Sequence, residues 1–139
     1  MNIREFVYEN DLQAVLELWR GSSPGIRISA SDDPAEIRKK LQRDPDLFLV
    51  AEEDERIIGA VVGGFDGRRA MVYHLAVETT QRGRGFGRAL MGELEVRLRR
   101  KGCLKYYLLV TRDNQDAVSF YQQIGCEVMD ILILGKVIK

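Results

Sequence analysis

A single histidine and two cysteines leave this chain of 139 residues poor in metal-ligating side chains. Cys103 and Cys126 are too few and too isolated for a disulfide framework, and with only His74 beside them they cannot build a zinc site. No metal is expected. Net charge is also missing, since Lys+Arg and Asp+Glu stand at 21 each. A dedicated nucleic-acid binder usually carries a clear basic excess, so no nucleic-acid partner is expected. No apolar run is long enough to span a bilayer. The opening residues, MNIREFVYEN, hold no apolar stretch of the kind a signal peptide needs. A cytoplasmic protein, off the membrane and with reduced thiols, is the expectation. The length suits one domain with one core, residues 1–139.

What is present is organised around residues 71–102. MVYHLAV reads as a strand buried on both faces. A long amphipathic segment ending RLRRKG puts Phe86, Leu90, Met91, Leu94 and Leu98 on one helical stripe, with Arg88, Glu95 and Arg99 roughly opposite. Between them lies Arg82-Gly83-Arg84-Gly85-Phe86-Gly87, followed by Arg88. Glycines there let the backbone turn tightly and approach a ligand. The first turn of a helix leaves N–H groups unpaired and carries partial positive charge. Strand, glycine turn and helix start together make an anion site, most naturally for phosphates. The plain alternative is a glycine turn made for geometry alone, with Arg82, Arg84 and Arg88 as solvated charges. Two nucleotide motifs fit poorly. A Walker A loop ends Gly-Lys-Ser/Thr, whereas this one ends Gly87-Arg88-Ala89, and Arg88 stands where a dinucleotide fingerprint needs its third glycine.

In chain order, Asn2 to Tyr8 reads as a first strand. Asn10 or Asp11 can cap a helix running to Arg20, with Leu12, Val15, Leu16 and Trp19 on its buried face. Ser22-Ser23-Pro24-Gly25 is a loop, and Asp33-Pro34 starts a second helix whose thin stripe of Ile37 and Leu41 suits the surface. Leu47 to Ala51 and Ile57 to Phe65 read as strands joined by a charged hairpin tip. Gly59, Gly63 and Gly64 in the second of them suggest a bulge or a close backbone approach. Leu104 to Val110 is a further strand. Asn114 caps a helix over residues 115–124 that Gly125 ends. Cys126 to Met129 and Ile131 to Leu134 look like closing strands.

The loop resembles motif A of the GNAT N-acetyltransferases, [Arg/Gln]-x-x-Gly-x-[Gly/Ala], with Arg82, Gly85 and Gly87 at its fixed positions. The order of elements also matches that family over nearly the whole chain. The phrases LFLVAE, GGFDG and RGRG are most similar to the short bacterial YpeA-like acetyltransferases. The resemblance implies an α/β (α+β) fold: a central mixed, mostly antiparallel sheet flanked by about four helices, with the fourth and fifth strands splayed around the cofactor. It implies acetyl-coenzyme A as cosubstrate, its pyrophosphate wrapped by backbone amides of Arg82, Gly83, Arg84, Gly85, Phe86, Gly87 and Arg88. Leu75, Ala76 and Val77 on the fourth strand would hold the pantetheine arm, Asn114 would contact it and Phe120 would pack against it. Tyr121, in Asn114-x-x-Ala117-x-x-x-Tyr121-x-x-x-Gly125, matches the family's general acid towards the leaving thiolate. Its plain alternative is a core tyrosine with a satisfied hydroxyl. Cys126 stands where the family usually has an aromatic.

Direct acetyl transfer in a ternary complex needs a held thioester, a neutral amine and a proton for the thiolate. A backbone N–H aimed at the thioester carbonyl lowers the barrier. The general base stays open. Histidine changes charge near neutral pH, yet alternation sets His74 opposite Tyr73 and Leu75, unless a bulge reverses the parity. A lone histidine in a buried strand is more often structural. Met71 and Val72 occupy the region where some relatives place a carboxylate. Water, or an amine that arrives neutral, would also serve. The acceptor is expected to be a small-molecule amine or a protein N-terminal amine, its pocket shaped by residues 19–33, with Trp19, Ile26, Arg27 and Ile28 as candidate lining. A homodimer through the last strands is a family habit. A non-catalytic CoA-binding regulatory module is the alternative function, and a misassigned nucleotide-binding enzyme a third.

Overall fold

The computed structural model describes residues 1–22 and 26–138; most of the expected loop at Ser23-Pro24-Gly25 lies outside them. The chain divides into two compact units, Met1–Leu109 and Val110–Lys139.

The first unit holds five strands in the order β1 to β5: Asn2–Glu5, Phe48–Glu53, Arg56–Phe65, Ala70–Val77 and Tyr106–Leu108. The first four pair antiparallel, and β4 pairs β5 in parallel, so the sheet is mixed and mostly antiparallel as expected. Phe48 and Val50 of β2, Ala60 and Val62 of β3 and Ala76 of β4 share one buried cluster with Val15 and Trp19 of helix α1 (Tyr8–Arg20) and Ile37 of helix α2 (Pro34–Arg43). Phe6 stacks on Phe48 at 4.1 Å within it. Ile37 is buried and Leu41 packs against the same cluster, so α2 is anchored to the core rather than lying wholly on the surface. Helix α3 (Phe86–Arg100) takes the other face, its stripe of Phe86, Leu90, Met91, Leu94 and Leu98 fully buried as the periodicity requires. Burying each such side chain contributes roughly 1.5–3 kcal/mol before entropy is counted.

The start of α1 differs from expectation. The helix begins at Tyr8, and Val7 at the cap position offers no side-chain acceptor. Asp11, inside the first turn, does that work instead: its Oδ2 accepts from the Val7 N–H at 2.7 Å. The same carboxylate takes both ends of the Arg4 guanidinium at 2.7 and 2.9 Å. Burial pushes the Asp11 carboxyl up, but these hydrogen bonds outweigh burial and hold it below the ordinary carboxylate range.

Glycine in β3 marks both predicted features. A Cβ on Gly63 would lie 2.9 Å from Leu94 Cδ1, and one on Gly59 would lie 3.0 Å from Leu90 Cδ1 and 3.2 Å from the Ala76 carbonyl. The bulge sits opposite Val62 and Gly63: Val62 pairs with His74 and Gly63 with Val72, leaving Tyr73 as the extra residue of β4.

In the second unit the regular element is helix α4 (Gln115–Gln123). Gly125, at φ +103°, closes it as expected, with the Gly125 N–H on the Gln122 carbonyl at 3.0 Å and the Cys126 N–H on the Tyr121 carbonyl at 2.9 Å. The closing strands expected at Cys126–Met129 and Ile131–Leu134 do not form, and Val128, Met129, Ile131, Leu132, Ile133 and Leu134 are exposed. An apolar, β-prone run becomes a strand only against a partner ladder, and among the described residues of this unit no strand offers one.

Candidate active site

The ladder between β4 and β5 covers three pairs and ends at Val72 with Leu108. Beyond it, His74–Val77 pair with β3 on one side and, among the described residues, have no strand on the other, so the sheet opens where a splay was expected. The expected strand of residues 104–110 is shortened to Tyr106–Leu108 for the same reason. Leu75 and Val77 are half-buried and Ala76 is buried, paired with Val61, Gly59 and Ala60 respectively.

From Val77 the chain makes a short 3-10 turn over Thr79–Gln81 and enters the glycine loop. Gly83 and Gly85 have φ of +83° and +88°, a left-handed conformation that costs other L-residues about 1–2 kcal/mol. A Cβ at either would meet nothing within 4 Å, so the backbone conformation, not crowding, demands glycine there. Phe86 anchors the loop by burying its ring. The first helical bond runs from the Ala89 N–H to the Gly85 carbonyl at 3.0 Å. Among the described residues, the N–H groups of residues 83–88 have no hydrogen-bond acceptor. A run of unpaired amides at a helix N-terminus, with glycine surfaces open to space, fits a pyrophosphate.

The three arginines are not equivalent. Arg84 grips Glu53 of β2 with both Nη atoms, at 2.9 and 3.1 Å, bonds Gln81 as well, and lies over the Phe86 ring at 5.0 Å. Hydrogen bonding to Arg84 holds the Glu53 carboxyl below its ordinary value. Arg82 donates from Nε to the Val77 carbonyl at 3.3 Å. Arg88 is exposed and has no hydrogen bond or ion pair among the described residues. Glu78, at the end of β4, is taken up by Arg56 and Thr80 Oγ1.

In the second unit, Asn114 Oδ1 accepts from the Ala117 N–H at 3.2 Å, the cap expected of it. Phe120 meets Tyr121 edge to face, with centroids 5.2 Å apart. Among the described residues the Tyr121 hydroxyl has no hydrogen-bond partner, unlike a satisfied core tyrosine. Burial pushes that hydroxyl up to about 12, with Cys126 adding to the rise.

One group escaped the sequence: Asp32, the partner of His74. His74 Nε2 lies 3.0 Å from Asp32 Oδ1, and its ring meets the Trp19 ring at 4.8 Å. The partners stand 42 residues apart in sequence, although Ser29-x-x-Asp32 is a legible capping-box spacing. Trp19 and Ile26, expected to line an acceptor pocket, are core residues at 1 % and 8 % exposure, while Arg27 and Ile28 are exposed.

Comparison with known proteins agrees with this geometry. The model of the acetyltransferase (GNAT) family matches residues 12–126. An acetyltransferase of Pectobacterium atrosepticum is 40 % identical over 136 residues, covering 98 % of this chain and 94 % of its own. An uncharacterized N-acetyltransferase of Yersinia pestis is 39 % identical with the same coverage. Among solved structures, the PaiA N-acetyltransferase of Thermoplasma acidophilum in complex with coenzyme A superposes with a TM-score of 0.80 at 25 % identity, covering 94 % of this chain and 91 % of that one. Open sheet, glycine loop and relatives converge: the chain belongs to the acetyltransferase (GNAT) family and is an N-acetyltransferase.

Proposed function

We propose that residues 1–139 work as one cytoplasmic acetyltransferase domain that moves an acetyl group from acetyl-CoA directly to a primary amine within a ternary complex. The acceptor is a small-molecule amine or a protein N-terminal amine. The observation that carries this reading is the run of unpaired N–H groups at residues 83–88. They bind the pyrophosphate, and Arg88, which has no partner among the described residues, adds long-range attraction. Arg82 and Arg84 shape the loop from its flanks. Leu75, Ala76 and Val77 hold the pantetheine arm along the open edge of β4, with a strand N–H aimed at the carbonyl oxygen that gains charge. Within the second unit, Asn114 and Phe120 are the proposed contacts to the arm.

Acetyl-CoA, when bound, supplies the activated acyl thioester. Tyr121, like any phenol, is protonated at neutral pH and so has a proton to give to the departing sulfur; burial, which pushes its hydroxyl up to about 12, extends that state to higher pH.

Thermal unfolding with acetyl-CoA, CoA, NAD and ATP added separately tests this. A ligand bound only to the folded state raises stability by about 2.7 kcal/mol at a hundredfold excess over Kd. Stabilisation by the two CoA species alone is expected, and turnover of primary amines should follow. Absence of any shift with either CoA species would overturn the assignment of residues 82–88.

A further inference from the structure

The sheet face that carries α1 and α2 holds a pair of ionisable groups that the glycine loop does not use. Alternation alone would set Tyr73 and His74 on opposite faces. The bulge at Tyr73 cancels it: Tyr73 Cε2 lies 3.1 Å from where Gly64 would carry a Cβ, beside Lys40 Nζ of α2, and His74 packs on Trp19 of α1. Both side chains therefore point to the same face, immediately past the end of the β4–β5 ladder. We propose that His74, oriented by Asp32, is the general base of this acetyltransferase and takes a proton from the acceptor's ammonium at Nδ1. The assignment rests on the acetyl-transfer reading above.

Four observations support it. Asp32 Oδ1 is an acceptor, so the neutral imidazole donates from Nε2 at 3.0 Å and keeps its lone pair on Nδ1. Asp32 is itself fixed, since its Oδ2 accepts from the Ser29 N–H at 3.0 Å while Ser29 Oγ accepts from the Ser31 N–H. The Trp19 ring, at an interplanar angle of 65°, restrains the imidazole plane. Finally, the one fully enclosed side-chain nitrogen or oxygen without a partner among the described residues is Trp19 Nε1. Nδ1 of His74 has no partner among the described residues and is not among the sealed atoms, so it is open to solvent.

The step balances without another reactant. An N–H bond of the ammonium breaks, an N–H bond at Nδ1 forms, and the freed amine lone pair becomes the nucleophile. The imidazolium later returns its proton to water. Asp32 is the charged group bonded to His74. Trp19 on α1 contributes no charge, and Lys40 of α2, beside Tyr73, is paired with Asp44 at 3.0 Å.

Asp32 is a positioning residue, and its bond to His74 also ties the 30–32 turn to β4, so the test separates chemistry from packing. With one histidine in the chain, nitrogen NMR of the neutral imidazole reads a single tautomer. Protonation at Nε2 is expected, and protonation at Nδ1 would overturn the proposal. A panel of small primary amines and one peptide with a free N-terminus is then screened on the wild type. With the best acceptor, His74→Gln is expected to lose about 100-fold in kcat/KM near neutral pH. The gap should close at high pH, where the amine is neutral unaided, and stabilisation by CoA should persist. Asp32→Ala should lose less, and Asp32→Asn, whose side-chain oxygen still accepts, less again. Equal kcat/KM for wild type and a folded His74→Gln across the pH range would overturn the base. If His74→Gln does not fold, the tautomer and the Asp32 variants decide. Failure of the wild type to bind CoA would instead remove the acetyl-transfer reading, a distinguishable result.

Discussion

Arg84 and Glu53 meet end to end, two guanidinium nitrogens on two carboxylate oxygens, so the central arginine of the glycine loop is already neutralised by strand β2. Arg88, with no such partner among the described residues, keeps its charge for a ligand.

Arg88→Ala is therefore expected to weaken CoA binding more than Arg84→Ala does. Titration calorimetry at two salt concentrations checks the order, and Arg88→Ala should also flatten the salt dependence. Neither change should move thermal stability appreciably, as both side chains are exposed.

Gly85→Ala places a Cβ on a residue at φ +88°. A loss of about 1–2 kcal/mol in stability is expected from the backbone alone. CoA affinity should fall further than stability does, because the same residue starts α3 and sets the direction of the amides after it. Chemical denaturation and CoA titration on one preparation separate the two effects.

Asp11 carries the acid end of the stability profile. Its folded-state pKa is depressed, so its contribution is fully present above the unfolded value of about 3.9 and is lost as pH falls through the folded value. Asp11→Asn should cost roughly 2 kcal/mol at neutral pH by leaving Arg4 and the Val7 N–H poorly matched. The variant should also show a shallower decline below pH 4, read by urea melts across pH.

Tyr121→Phe should reduce kcat by about 100-fold with little change in CoA binding. With the hydroxyl pushed up to about 12, no loss of wild-type activity from Tyr121 ionisation is expected between pH 7 and about 10. Its stability effect has the opposite sense to Asp11: a raised folded pKa means stability is fully present below the unfolded value and declines as pH rises towards 12.

Local signals carried most of what the sequence revealed. The α3 stripe, the two left-handed glycines and the Asn114 cap are each decided within a few residues, by helical period, backbone conformation and side-chain reach. The bulge was legible as glycine in β3, yet its position at Tyr73, and with it the face of His74, depends on register between two strands. Asp32 was hidden because nothing in its own segment points to β4. The apolar runs after Gly125 misled for the converse reason: their propensity is local, whereas a strand is a property of pairs.

Leu90 and Leu94 rest against Gly59 and Gly63, where no other side chain fits without displacement. These two pegs set the register of α3 along β3 and oppose its sliding to suit an incoming anion. The amides at its start are held ready rather than recruited, and ligand capture carries little ordering cost. Affinity for the cofactor is thus partly written in a neighbouring strand. A methyl group added at Gly59 or Gly63 would surface in an assay as a raised Kd for CoA, with every residue of the loop still in place.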